Sequence, residues 1–228
     1  MQLNAIAGIC KNQEGKMHIP DGFLNIATAA TTCAVSVGGV ACAVKVTNKR
    51  LDEKQVPLMG VMAAFIFAAQ MFNFPILGGT SGHLIGAALA AILLGPWAAM
   101  LIMTCVLIVQ CLIFQDGGLL ALGANVLNMG IIASFTGYYL YKGITSLIGE
   151  EGRGRMIGGF VGAWGAVFLA STACVIELWV SGTSPFLVAF PAMAGWHALI
   201  GIGEGLITTA VLGLVLATRR DLLELQKV

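Results

Sequence analysis

Seven apolar segments, separated by charge clusters and by glycine or proline breaks, take up nearly all of this 228-residue chain after position 21. They run over about 22–46, 56–72, 83–94, 97–114, 119–141, 156–180 and 186–217. About 20 apolar residues cross a bilayer as a helix, and in lipid every backbone polar group must find its partner inside the protein. The expected fold is therefore an all-α integral membrane protein with seven transmembrane helices. Composition agrees: 58% of residues are hydrophobic and 10% charged, where a soluble domain has about a quarter charged. The segment at 83–94 is too short for a full crossing. It reaches that length only if the uncharged loop before it, Asn73-Phe74-Pro75-Ile76-Leu77-Gly78-Gly79-Thr80-Ser81-Gly82, dips into the protein.

Charge placement sets the orientation. With seven spans, Lys45, Lys49, Arg50 and Lys54 share a side with Lys142, Arg153, Arg155, Arg219, Arg220 and Lys227, which is ten of the twelve Lys and Arg. The positive-inside rule assigns that side to the cytoplasm, so the segment before the first helix faces outward and the C-terminus inward. The other two cations, Lys11 and Lys16, lie in residues 1–16, a stretch without the basic start or long apolar core of a signal peptide. Either translation begins at Met17 or the extension is removed. The plain alternative is a frayed tail with an internal Met-His pair. On the first two readings, 1–16 is absent from the active form and 17–228 is a single membrane-embedded domain.

A free amine at Met17 would turn Met17-His18 into a chelator. The amine, the His18 amide nitrogen and the imidazole δ-nitrogen close fused rings on one ion, a nitrogen set suited to square-planar Ni(II) or a related late divalent metal. Binding would be pH-dependent, because the amine and amide must lose protons. All three histidines fall on the outer side or in the outer half of a span: His18, His83 and His197. Asp21, Asp116, Glu177 and Glu204 are the acids outside the cytoplasmic clusters. An ionisable group at the centre of a bilayer costs roughly 2.5–3.5 kcal/mol on insertion scales, so each is a candidate functional residue. His83 closes a flexible Gly78-Gly79-Thr80-Ser81-Gly82 loop; it either supplies a fourth nitrogen or serves as a helix cap or core histidine. His197 and Glu204, seven apart, share a helix face, either orienting a ligand or pairing for packing. Asn125 and Asn128 either bond across helices or support the leading segment.

Other patterns are less specific. Five of six cysteines lie in apolar runs without zinc spacing and act as small hydrophobes. Met59, Met62, Met71, Met100 and Met103 are scattered core fillers, and Gly201-x-x-x-Gly205 is a helix-contact pattern. No Walker loop, HExxH or GxSxG motif is present, so the chain carries no recognisable machinery for hydrolysing ATP or peptides. No basic or aromatic patch suggests nucleic acid.

Four long motifs in order, Met17-His18-Ile19-Pro20-Asp21-Gly22-Phe23-Leu24, Gly78-Gly79-Thr80-Ser81-Gly82-His83-Leu84, Phe114 through Asn125, and Trp196-His197 through Gly203-Glu204-Gly205, resemble the CbiM/NikM family. These are membrane-embedded substrate-capture subunits of energy-coupling-factor (ECF) transporters for cobalt and nickel. The resemblance covers essentially everything from Met17 onward. It implies a seven-helix bundle plugged from outside by its N-terminal segment. It also implies Co(II) or Ni(II) held as transport substrate by the Met17 amine, the His18 amide and ring, and His83, with Asp21, Ser81, Asn125, His197 and Glu204 in support. No catalytic cofactor is expected. The implied partners are a coupling transmembrane subunit, ATPase subunits as in other ABC transporter complexes, and a small accessory membrane subunit. The implied location is a prokaryotic cell membrane, with cobalt supply feeding cobalamin biosynthesis. The departure is the sixteen-residue extension, since family members begin at the Met-His pair.

Two other classes stand beside this reading. An ATP-independent secondary metal transporter or channel would usually show internal repeats and broken helices in both halves; only the third segment is visibly broken here. An intramembrane metalloenzyme using His83, His197 and Glu204 would need an open coordination position and a general base. The expectation is a transporter subunit, not an enzyme.

Overall fold

The computed structural model describes residues 18–50, 55–72, 74–76 and 80–224, without the side chains of residues 50, 74–76, 80, 81, 223 and 224. The extension 1–16, Met17, Lys54, Lys227 and the side chains of Arg50 and Ser81 lie outside what is described. The chain forms α1 (Ile26–Arg50), α2 (Gln55–Gln70), β1 (Phe74–Ile76), β2 (Thr80–Gly82), α3 (Ala87–Leu94) and α4 (Pro96–Ile113). It continues as α5 (Leu122–Asn125), a π-helical stretch (Val126–Ile132), α6 (Ala133–Ile148), α7 (Gly152–Val180), α8 (Phe186–Thr218) and the short α9 (Asp221–Glu224).

Among the described residues, four helices are long and apolar enough to cross a membrane: Ile26–Lys49, Pro96–Ile113, Gly152–Val180 and Phe186–Thr218. α2 is apolar but shorter, at 16 residues. The segment expected at about 119–141 is found shifted, as the rod 122–148. Its three pieces join without a break, because Asn125, Val126, Ile132 and Ala133 all keep right-handed helical angles. The loop expected at 73–82 contains a small antiparallel hairpin, with Phe74 opposite Gly82 and Ile76 opposite Thr80. This pairing satisfies backbone groups that an open loop would leave bare.

Local sequence explains most boundaries. The Asn25 side-chain oxygen accepts the Thr28 N–H at 2.8 Å and caps α1. Pro96 opens α4 at a position where its missing N–H costs nothing. Pro191 lies inside α8, where it removes one ladder bond.

The core is built around α3. Its eight residues, Ala87-Ala88-Leu89-Ala90-Ala91-Ile92-Leu93-Leu94, are all buried, as expected for a helix apolar on every side. α4, α6 and α7 pack around it. Eight residues rise only about 12 Å, so α3 spans less than half of a hydrocarbon core of about 30 Å. His83 through Gly86 precede it as irregular backbone inside the bundle. Close approach depends on Gly137 of α6, where an added Cβ would sit 2.6 Å from the Ala88 Cβ. Gly137→Val is expected to destabilise the fold by about 1–3 kcal/mol through overpacking. Thermal unfolding in detergent reads this as a lowered midpoint; an unchanged midpoint would show that α3 and α6 are not pressed together there.

Candidate metal site

The site lies at the end of the bundle where three pieces of backbone meet: residues 18–25, the turn 115–121 and the turn after α7. Polar bonds from several directions fasten the leading segment. The Ile19 N–H donates to the Asn125 side-chain oxygen at 3.1 Å, and the Asn125 amide donates back to the Ile19 carbonyl at 3.2 Å. The Gly118 N–H reaches the same carbonyl at 2.9 Å. Asp21 accepts the N–H groups of Leu119 and Leu120 at 3.1 and 2.8 Å, one on each carboxylate oxygen. The Thr183 hydroxyl donates to the Phe23 carbonyl, and the Asn25 amide donates to the Val180 carbonyl at 3.2 Å. Gly118 is required for this seat, since a Cβ there would fall 2.2 Å from the Asp21 carboxylate and 2.3 Å from its backbone nitrogen. Beneath the seat, Ile19 packs with Ala121, Ala124 and Leu178.

This seating carries His18 into the protein, where its side chain is 1% exposed. Neither of its ring nitrogens has a hydrogen-bond partner. Its ring and that of His83 meet edge to face, with centroids 5.0 Å apart. His18 Nδ1 also lies 3.4 Å from Asp116 Oδ2. His83 Nδ1 is 2.8 Å from the Leu84 carbonyl, which can only accept, so Nδ1 carries the proton and the neutral ring presents Nε2 as its lone-pair nitrogen. Two buried imidazoles thus offer lone pairs to one small region, with a carboxylate beside them.

His83 is held by an unexpected anchor. Ile85 and Gly86 donate their N–H groups to the two Glu204 oxygens at 2.6 and 2.8 Å. The Gln70 amide donates to the Ile85 carbonyl at 2.8 Å, and the Gln110 amide donates to Gln70 at 2.9 Å. Irregular backbone before α3 is therefore satisfied by a carboxylate and a two-glutamine relay. Glu204 and His197 do not pair: His197 Nδ1 contacts the Met193 carbonyl one turn earlier, at 2.8 Å. His197, His18 and Asp116 nevertheless all lie within electrostatic reach of the His83 ring.

The structure thus brings His18, His83, Asp21 and Asn125 together around the leading segment, with His197 within electrostatic reach of His83 and Glu204 deeper in the bundle behind it. Met17 and the Ser81 side chain lie outside the described residues, and two buried glutamines had gone without a role, while Asp116 had been singled out only as a candidate acid. Gln70 and Gln110, both 0% exposed, are polar residues in otherwise apolar helices, and that isolation was their only signal. Asp116 stands in a Gln115-Asp116-Gly117-Gly118 turn whose Gln115 and Gly117 take positive φ values of 54° and 87°. Asn128, in the π-helical stretch, donates to Glu177 of α7 at 2.7 Å. Among the described residues, no three His, Cys, Asp or Glu side chains gather closely enough to hold a metal ion by themselves.

Known proteins are similar to this chain over most of its length. Residues 18–222 match CbiM, described as the cobalt uptake substrate-specific transmembrane region. A relative from Archaeoglobus fulgidus, named for fused nickel transport (NikMN), is 43% identical over 210 residues, covering 91% of this chain and 68% of that protein. The cobalt transport protein CbiM of Geobacter sulfurreducens is 33% identical over 214 residues, covering 91% of this chain and 61% of the relative. The crystal structure of a transition metal transporter superimposes with a TM-score of 0.78 at 41% identity, over 88% of this chain and 93% of that one. The chain is a multi-pass membrane protein and belongs to the CbiM family.

Proposed function

We propose that this protein captures Co(II) or Ni(II) at the outer face of a prokaryotic membrane, as the substrate-binding subunit of an ATP-driven ECF importer. In this reading the chain crosses the membrane seven times, with Met17 outside and the C-terminus in the cytoplasm. The observation that carries the reading is the buried His18 ring, without a hydrogen bond on either nitrogen, lying 5.0 Å from a His83 ring whose lone pair is on Nε2. Burying an imidazole with both nitrogens unbonded is unfavourable unless something else engages them. A late divalent cation would do so.

The ligands are the Met17 amine, the His18 amide nitrogen and Nδ1, and His83 Nε2. Two of these four nitrogens belong to the chain start and backbone, which is why side chains alone do not suffice. Asp116 adds negative charge beside the cation. The amine requires a free Met17, so residues 1–16 are absent or removed in the active form, leaving 17–228 as the metal-capture domain. Asp21 and Asn125 hold the leading segment in place, and Glu204 fixes the backbone that aims His83. His197 borders the pocket, and Ser81 belongs to the loop that closes over it.

Import needs a coupling transmembrane subunit and separate ATPase subunits. Relatives named as fused nickel transport proteins are longer than this chain, which spans 68% of NikMN from Archaeoglobus fulgidus and 59% of LarMN from Lactiplantibacillus plantarum. Their extra length supports a small separate membrane subunit as a further partner here.

His18→Ala is expected to abolish high-affinity Co(II) and Ni(II) binding, and His83→Ala to weaken it strongly, measured by isothermal titration on protein beginning at Met17. Wild-type affinity in either variant would refute the ligand assignment. Protein begun at Met17 should bind metal tightly, and protein begun at Met1 should not; equal metal content in the two would remove the amine from the set. Asn125→Ala leaves the Ile19 N–H unpaired and its carbonyl held by Gly118 alone, so amide exchange in 18–24 should quicken roughly tenfold or more, with metal affinity falling in step. Unchanged exchange would mean that the segment is held by other contacts.

A further inference from the structure

The end of the bundle away from the histidines holds a second polar concavity. A cavity of about 720 Å³ opens between the second half of α6, Ile92 of α3 and the start of α7. Tyr138, Tyr141, Lys142, Thr145, Ser146 and Arg155 contribute to its wall. Lys142 Nζ stands 5.3 Å from the centre of the Tyr138 ring, and Arg155 spends one N–H on the Glu150 backbone carbonyl at 2.6 Å. Neither cation has a carboxylate partner: among the described residues the basic side chains that lie within 4 Å of a carboxylate are His18, beside Asp116, and Arg219, paired with Asp221. Glu150 also borders the cavity, so the wall keeps a surplus of one positive charge. The surface beside it is apolar and bare, with Leu147 82%, Tyr139 61% and Ile148 51% exposed.

Unpartnered cations, hydroxyl groups and a flanking lipid-facing surface make a specific combination. An acidic protein segment would use the cations but has no need of the apolar flank. A phospholipid uses both, placing phosphate oxygens against the guanidinium and ammonium and acyl chains along α6. Tyrosines and basic residues collect at this depth of a membrane, where one end of a side chain is dry and the other wet. We propose that this cavity binds the phosphate headgroup of an anionic membrane lipid through Lys142 and Arg155. Its assignment to the cytoplasmic leaflet rests on the orientation proposed above; binding itself does not.

The test is native mass spectrometry of protein beginning at Met17, released from detergent, with phosphatidylglycerol, phosphatidylcholine or inorganic phosphate added. Wild-type protein is expected to retain phosphatidylglycerol roughly tenfold better than the Lys142→Gln/Arg155→Gln double variant, since each basic residue near an anionic headgroup contributes substantially. Lys142→Arg should behave as wild type, and phosphatidylcholine should bind the double variant and wild type alike. Equal phosphatidylglycerol retention by wild type and double variant overturns the proposal. Inorganic phosphate that forms an adduct and displaces the lipid would make this a free-phosphate site, which also overturns it. So would unchanged lipid retention in a double variant that no longer assembles with the other transporter subunits. The double variant should keep wild-type Co(II) affinity, because the cavity and His18 lie at opposite ends; loss of that affinity together with a lowered unfolding midpoint would mark misfolding, and Lys142→Gln alone, expected to lose several-fold, then decides. Failure of Co(II) binding in the wild type would count against the proposed import role and leave the lipid result standing. Labelling of Ser146→Cys from one side of the membrane reads the orientation separately.

Discussion

Four residues of irregular backbone, His83 through Gly86, set the terms for the rest of this structure. They lie inside a bundle whose apolar helices leave them no water, so each polar group must find a protein partner or cost several kcal/mol. Glu204 takes the N–H groups of Ile85 and Gly86 on its two oxygens, and Gln70 donates to the Ile85 carbonyl. Gln110 then supports Gln70. A carboxylate at the start of α3 is also well placed electrostatically, against the positive end of that helix. With those bonds made, the chain can leave helical geometry at depth and present His83 to the bundle interior. Without them an ordinary helix would be the cheaper solution, and His83 would have no fixed direction.

The leading segment follows the same logic from the other side. Residues 18–25 have no helix or strand of their own, yet Asn125 and Gly118 hold the Ile19 backbone and Thr183 the Phe23 carbonyl, while Asp21 returns the favour to Leu119 and Leu120. Segment and turn are thus mutually dependent. A carboxylate that holds two amide N–H groups at once is a directional clamp, and Gly118 allows the two strands of backbone to come within a distance no side chain would tolerate. The result is a site assembled from pieces far apart in the chain, in which His18 and His83 meet although 65 positions separate them.

Much of this was legible in the sequence, and the reasons for success and failure are physical. Apolar length and charge placement are local properties, so helix positions were readable to within a few residues for most segments, and the shortness of α3 pointed to irregular backbone before it. The rod 122–148 was misplaced because a π-helical stretch has no distinct hydrophobic pattern and Lys142 inside it reads as a boundary. Asn125 could be singled out as an amide in an apolar run, but not its two-way bond to Ile19, because nothing in local pattern encodes a partner 106 positions away. Glu204 and His197 share a helix face, as their spacing required, yet each turns to a different partner: spacing constrains direction and leaves the partner open. Gln70 and Gln110 escaped notice because glutamine is uncharged, although buried amides deep in a membrane protein are as demanding of partners as many ionised groups.

The π-helical stretch has a consequence of its own. Wider winding accommodates an additional residue within a helical turn, so Val126–Ile132 acts as a slack loop of register inside a stiff rod. Above it Asn125 faces the leading segment, and below it Gly137 meets Ala88; within it Asn128 reaches Glu177. Shortening the rod by one position there would tighten the coil while leaving both flanking faces aligned. The same excision anywhere else would swing one face by about 100° and tear it from its neighbour.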